Sequence, residues 1–202
     1  MPDDPSSRWE RQDQDVQLML RFKKGDRSAF EELVQRNTPK IHALIFRFLG
    51  DPWQVEDLTQ EVFLRVYRTV GSYKPTAKFT TWLYRIAANL SFNVLRARKK
   101  GQQWRLEVGD GDDGEGYHRD VPDERHGAPH DDLDEAELRE RVAGAIESLP
   151  ENQKLAIILN KYEHKSYEEI ASVLNCSAMA VKSLLSRARC NLRQVLEPYL
   201  RP

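Results

Sequence analysis

The sequence predicts an all-α protein: two small helical domains, the second with a C-terminal helix-turn-helix, joined by an acidic flexible linker. Three observations carry that expectation. Apolar residues recur at spacings of three and four through most of the chain, the period of a helix with one buried face. No stretch shows the strict alternation of a half-buried strand. Charge falls in blocks: residues 1–100 carry a net +6, residues 101–140 a net −10 and residues 141–202 a net +3.

The total of −1 hides that pattern. Two mildly basic blocks suit a polyanionic partner, and the acidic segment between them must avoid it or bind something basic. Charged residues make up 31% of the 202, and the mean hydropathy is −0.69. No apolar run approaches the ~20 residues that a membrane span needs. The start, MPDDPSSRWE, lacks the basic and apolar regions of a signal peptide. A cytoplasmic protein is expected, with no direct membrane insertion. Cys176 and Cys190 have no CxxC partner and are expected to be reduced.

Residues 1–12 read as a disordered lead. Asp13 to Lys24 forms a first helix with Val16, Met19 and Leu20 inward, stopped by Gly25-Asp26. A second begins near Ser28, and Thr38-Pro39 is expected to break or kink it. Ile41 to Leu49 continues as a strongly apolar helix. Gly50-Asp51-Pro52 punctuates, with Asp51 as cap and Pro52 at the first helical position. Helix 52–70 buries Val55, Leu58, Val62, Val66 and Val70 and exposes Asp57, Gln60, Glu61 and Arg65. After a loop at 71–78, Thr80 or Thr81 caps a helix running to about Lys100.

Residues 101–132, with VGDGDDGEG and three histidines, read as the linker. His118, His126 and His130 match no familiar metal-ligand spacing, so neither metal nor cofactor is expected. Helical periodicity returns from Leu133, where Leu138, Val142, Ile146 and Leu149 form a stripe. Pro150 opens a further helix that ends near His164.

Ser166 to Gln194 then reads as a helix-turn-helix. Ser166 and Glu169 form a capping box, Asn175-Cys176-Ser177 makes the turn, and Ser177 caps the second helix. On that helix Val181, Leu185, Ala188, Leu192 and Val195 make an inward stripe. Lys182, Ser183, Ser186, Arg187 and Arg193 lie off it. This is the arrangement that places a second helix in the DNA major groove, although a plain αα-hairpin has the same periodicity.

One other stretch carries chemistry. KFTTWLYRIAANLSFNVLRARKK, residues 78–100, interleaves Phe79, Trp82, Tyr84 and Phe92 with Arg85, Arg96, Arg98, Lys99 and Lys100. Asn89 and Asn93, four apart, share a helix face. Some of these residues must be core. Aromatics, amides and arginines together also suit unpaired bases: rings stack, arginines follow phosphates and amides bond base edges. No phosphate loop, nucleophile elbow or metal motif occurs, so no enzyme is expected.

The runs DLTQEVFLRVYR (57–68), FTTWLYRIAANLSFNVLRARKK (79–100) and SLPENQKLAIILNKYEHKSYEEIASVLNCSAMAVKSLLSRAR (148–189) together resemble bacterial RNA polymerase sigma factors of the extracytoplasmic-function class. The resemblance covers most of the chain in the family's order, with 13–100 like its sigma-2 domain and 133–197 like sigma-4. It implies a transcription initiation factor whose partners are the clamp helices and flap of core RNA polymerase, promoter DNA and an anti-sigma factor. It makes Asp57, Gln60 and Glu61 the polymerase-docking face. It gives Phe79, Trp82, Tyr84, Arg85, Asn89, Asn93 and Arg96 to the −10 element, and Lys182, Ser183, Ser186 and Arg187 to the −35 element. Leu184 and Ala180 depart from the arginine and threonine that the family often has.

A single small reader is weak alone. Three phosphate contacts give a salt slope of only about −2.7, and one or two base contacts at ~1–3 kcal/mol fall short of the ~4–10 kcal/mol of specific sites. Two readers on one platform, or dimerisation, make up the difference. The alternative is therefore a stand-alone helix-turn-helix regulator that binds operator DNA as a dimer. The linker spans roughly 31 Å as a relaxed coil, against roughly 50–70 Å between the family's two promoter elements at ~34 Å per turn. It reaches when stretched, and its acidity suits the polymerase's basic channels; a passive tether is the other reading.

Overall fold

The computed structural model describes residues 9, 11–108 and 131–200. Residues 109–130, with the three linker histidines, lie outside the described part. Among the described residues the secondary structure is helical throughout, with no strand. The helices are α1 (Gln14–Lys23), α2 (Arg27–Leu49), α3 (Pro52–Thr69), a 3-10 turn (Val70–Ser72), α4 (Phe79–Val108), α5 (Asp131–Glu147), α6 (Glu151–Lys161), α7 (Tyr167–Leu174) and α8 (Ala178–Leu200). No described helix is long and apolar enough to cross a membrane.

Local chemistry sets most boundaries as the sequence predicts. Asp51 caps α3 as expected, and Asp26, expected only to stop α1, caps α2; each side chain accepts a first-turn N–H. Gly50 ends α2 at φ 65°, in the left-handed region that glycine enters without strain. Ser166 and Glu169 complete the expected capping box of α7.

Four boundaries differ. Pro39 does not break α2, which runs unbroken through it. The carbonyl that its missing N–H strands belongs to Gln35, on the exposed face where water is available. Neither Thr80 nor Thr81 caps α4. The cap is Asp13, 66 residues earlier in the chain, whose Oδ2 accepts from the Phe79 N–H at 2.9 Å. Its Oδ1 caps α1 by accepting from Asp15 N at 2.9 Å and Val16 N at 3.3 Å. α4 also continues to Val108, past the expected end at Lys100, and α5 begins before Leu133. In α5 the expected stripe is shorter: Leu138 is exposed, and burial is reached at Ala145, Ile146 and Leu149.

In the N-terminal half α2 packs on α1, α3 and α4. Asp15, buried beneath it, accepts from Arg36 Nε at 2.9 Å and Asn37 Nδ2 at 3.2 Å, so the charge is paired and bonded where it meets the core. In the C-terminal half α8 packs on α5, α6 and α7. The halves also touch: α4 lies against α7 and α2 against α6. Their buried apolar residues run together into one cluster, from Val16 to Ala188. Two separate small cores were expected; a continuous one is found.

Candidate nucleic-acid interface

The first surface is the outer face of α3. Trp53, Asp57, Gln60, Leu64 and Tyr67 recur at spacings of four and three, which places them on one face. All five are exposed, Trp53 at 89%. Gln60 Nε2 donates to Glu56 Oε1 at 3.0 Å, and Glu61 Oε1 accepts from Arg65 Nε at 3.1 Å. Asp57 and Gln60 therefore sit in an apolar-and-acidic stripe, with Glu61 at its edge beside Arg65. The sequence reading missed Trp53, Leu64 and Tyr67. The signal was present, because three large apolar residues fall outside the Val55-Val62-Val66 stripe.

The second surface is a cleft of about 550 Å³ between α3, the 70–78 turn and α4. Arg65, Arg68, Tyr73, Trp82, Arg85 and Asn89 are among its lining residues. Of the seven residues assigned to the −10 element it brings together Trp82, Arg85 and Asn89. Asn93 and Arg96 lie further along α4 and pair with each other, Arg96 Nη1 donating to Asn93 Oδ1 at 3.3 Å. Phe79 and Tyr84 are not on the surface: both are buried. Their expected role as stacking rings is not available in this conformation. Phe79 is walled in by Tyr73 and Trp82, at centroid distances of 6.2 and 5.6 Å. Tyr84 is covered by the C-terminal half.

The cleft has a further feature that no sequence signal marked. Tyr73 is buried at its wall, and its hydroxyl has no hydrogen-bond partner. Burial, with Asp13 and Asp15 nearby, pushes its pKa far above the usual phenol range, so it stays a neutral donor and acceptor. Its ring packs edge-on to Trp82 at 5.0 Å. Arginine side chains, an aromatic ring and an exposed amide thus converge on one concave site, with the Tyr73 hydroxyl enclosed behind its wall.

The third surface is the outer face of α8. Ser177 Oγ accepts from the Ala180 N–H at 3.1 Å and starts the helix, while Asn175 turns the chain at φ 51°. Val181, Leu185 and Ala188 are fully buried. That anchors the helix with Lys182, Ser183, Ser186 and Arg187 exposed together, as expected. Met179, 78% exposed, shares their face at the helix start and was missed. Leu184 is half-buried against the core, so the leucine there is a packing residue. Val195, expected inward, is exposed.

Cys176 and Cys190 are free thiols on the surface. Among the described residues no group of three His, Cys, Asp or Glu side chains is placed to hold a metal ion.

The Sigma-70 region 2 model matches residues 33–101, and the Sigma-70, region 4 model matches residues 139–192. The chain is 36% identical to the RNA polymerase sigma-H factor of Pseudomonas aeruginosa, over 94% of this chain and 97% of that protein. It is 35% identical to the ECF RNA polymerase sigma-E factor of Escherichia coli K12, over 93% and 96%. Its fold is like that of CnrH in complex with the cytosolic domain of CnrY, with a TM-score of 0.67, 24% identity and coverage of 92% of this chain and 99% of that one. It is also like that of the sigma factor RpoE of Bartonella quintana in complex with the anti-sigma factor NepR, with a TM-score of 0.63, 23% identity and coverage of 83% and 96%. With two family domains in order and relatives matched over nearly their whole length, the chain belongs to the sigma-70 family of RNA polymerase sigma factors, in its extracytoplasmic-function (ECF) class.

Proposed function

We propose that the chain initiates transcription by binding core RNA polymerase, bringing it to promoters through −10 and −35 contacts and promoting local melting. The observation that carries this is the placement of two different nucleic-acid-suited surfaces on two halves of one chain, with a docking stripe on α3, ahead of α4 and α8 in sequence order. It supplies no catalytic residue; the polymerase performs the chemistry.

Residues 13–100 form the part that docks and opens DNA, 133–197 the part that reads the −35 element, and 101–132 the connection. Asp57, Gln60 and Glu61 meet the polymerase, with Trp53, Leu64 and Tyr67 adding apolar area of the kind that dominates interface energy. A base of the −10 element, unstacked at a cost of a few kcal/mol, enters the cleft. There Trp82 offers a ring edge or face and Asn89 reads an edge, while Tyr73 backs the wall. Arg65, Arg68 and Arg85 hold phosphates, and Asn93 and Arg96 continue that track along α4. Phe79 and Tyr84 act from behind, holding α4 in place. Lys182, Ser183, Ser186, Arg187 and Met179 enter the −35 major groove.

The Bartonella relative is described with an anti-sigma factor. We infer a similar inhibitor for this chain, acting in the cytoplasm where polymerase and DNA are. The test is transcription by purified core enzyme with and without the protein. A promoter-specific transcript that requires it supports the reading, and its absence with no inhibitor present overturns it.

A further inference from the structure

α1 meets neither polymerase nor DNA in the function proposed above, yet both of its ends reach the wall of the cleft. Residues 73–78 carry Tyr73, Lys74 and Thr76 to that wall and form no helix or strand. Among the described residues a single backbone hydrogen bond closes within them, from the Thr76 N–H to the Lys74 carbonyl at 2.9 Å. A segment with so few bonds of its own takes its shape from what grips its ends. α1 grips both. At one end Asp13 accepts from the Phe79 N–H. At the other Lys23 Nζ donates to the Tyr73 carbonyl at 2.9 Å, across 50 positions of chain. α1 is a firm support: Val16, Leu18, Met19 and Phe22 fix it in the core, and it packs on the 3-10 turn and on α4.

We infer, on the reading of the cleft as the −10 site, that Lys23 is a positioning residue for it: it holds Tyr73 where Tyr73 and Trp82 together wall in a base. A basic residue in the last turn of a helix ordinarily offsets the helix dipole. The two such residues of α1 are engaged differently. Arg21 turns to Asp26 at 2.7 Å, whereas Lys23 turns to the Tyr73 carbonyl. The Tyr73 ring lies 5.0 Å from that of Trp82 and 6.2 Å from that of Phe79, so a shift of the Tyr73 backbone disturbs both. A site that holds a base needs its groups within about 0.5 Å of the productive geometry. The ammonium–carbonyl bond is charge-assisted and therefore stronger than a neutral one. Lys23 is not among the residues that line the cleft, so it acts on the base through Tyr73 and not by contact.

Two measurements on the full chain test this with Lys23→Met, which keeps the stem and removes the donor, and Lys23→Arg, which keeps a donor. The first is amide exchange without DNA. Lys23→Met is expected to quicken exchange at Lys74, Thr76, Ala77 and Lys78 about fivefold, the worth of one hydrogen bond, with the rest of the helical protection unchanged. The second is binding of a single strand carrying a selected −10 element, each base replaced in turn by an abasic site. The parent is expected to lose roughly tenfold at one position, the worth of one stacked base. Lys23→Met is expected to bind the strand abasic there as well as the parent does, and to gain less than about threefold from restoring the base. Lys23→Arg is expected to recover the parent's discrimination. A merely structural lysine would instead weaken the intact and abasic strands alike, and that result overturns the inference. So does unchanged exchange at 74–78, or quickened exchange with discrimination intact. A parent indifferent to every abasic site fails the reading of the cleft itself, and the role of Lys23 with it.

Discussion

The two surfaces proposed to meet DNA are made differently. The α8 face belongs to one helix. Its five exposed residues follow from a single periodicity, and nothing beyond the burial of Val181, Leu185 and Ala188 is needed to present them. The α4 cleft belongs to three elements. Its floor is aromatic, its rim comes partly from α3, and its helix starts at a carboxylate supplied by Asp13 from before α1. A one-helix reader is robust and modular. A composite cleft is sensitive to changes far from the contact, which suits a site that must hold an extruded base in a shaped pocket.

The contrast predicts where damage spreads. The largest effect is expected at Asp13, which touches neither DNA face. Asp13→Ala removes two helix caps at about 1 kcal/mol each. Urea unfolding should show a loss of about 2 kcal/mol, and amide exchange should quicken at the start of α4 while α8 keeps its protection. Equal loss of protection in both helices would erase the distinction. Arg187→Ala comes next. A cost of about 1–3 kcal/mol in −35-dependent binding is expected, with opening of a pre-melted −10 template unaffected. If the variant binds and transcribes as well as the parent, that face does not read DNA.

Tyr73→Phe separates fold from function inside the cleft. Its hydroxyl has no partner to lose, so stability should hold or rise slightly. Binding of a single-stranded −10 oligonucleotide should be unchanged, because the hydroxyl is enclosed behind the wall; weakened binding would mean that the base reaches it. On the α8 side, Met179 offers an apolar contact for a thymine methyl. Replacing thymines of a selected −35 element by deoxyuracil should weaken the parent about fourfold at one position, the worth of one methyl-sized group. Met179→Ala should be indifferent to that change.

The smallest effect lies away from both faces. Hydrogen bonds from Ser28 and then Arg21 and the Ala29 N–H hold the Asp26 carboxyl down to about 2. A depressed carboxylate contributes stability above its unfolded value of roughly 4 and loses it as the pH falls toward 2. Asp26→Asn should therefore flatten the acid limb of a stability–pH curve and leave both DNA contacts alone. Any change in promoter binding at neutral pH would contradict that separation.

What was legible and what was not follows the same division. Caps at Asp51 and Ser166, the glycine stop at Gly50 and the α8 stripe depend on residues within a few positions of one another, so local periodicity and capping chemistry reveal them. The exposed stripe of Trp53, Leu64 and Tyr67 is equally local, since it falls outside the buried Val55-Val62-Val66 stripe of the same helix. The fate of α4 was not legible. Phe79 and Tyr84 have the composition of a stacking platform, and only their neighbours show otherwise: Tyr84 meets Glu163 across 79 positions of chain, and Phe79 is capped across 66.

By itself, then, the amino-acid order determined an all-helical chain, the helix-turn-helix and its outward residues, the acidic break between two basic blocks and the family. These rest on spacing and composition, which neighbours along the chain express directly. Tertiary structure alone decided that Pro39 lies within an unbroken helix, that two cores join as one, that the cleft proposed for the −10 element draws on α3 and Tyr73, and that Tyr84 is bonded to Glu163. Each is a contact between residues distant in sequence, and periodicity carries no record of which distant side chain will arrive.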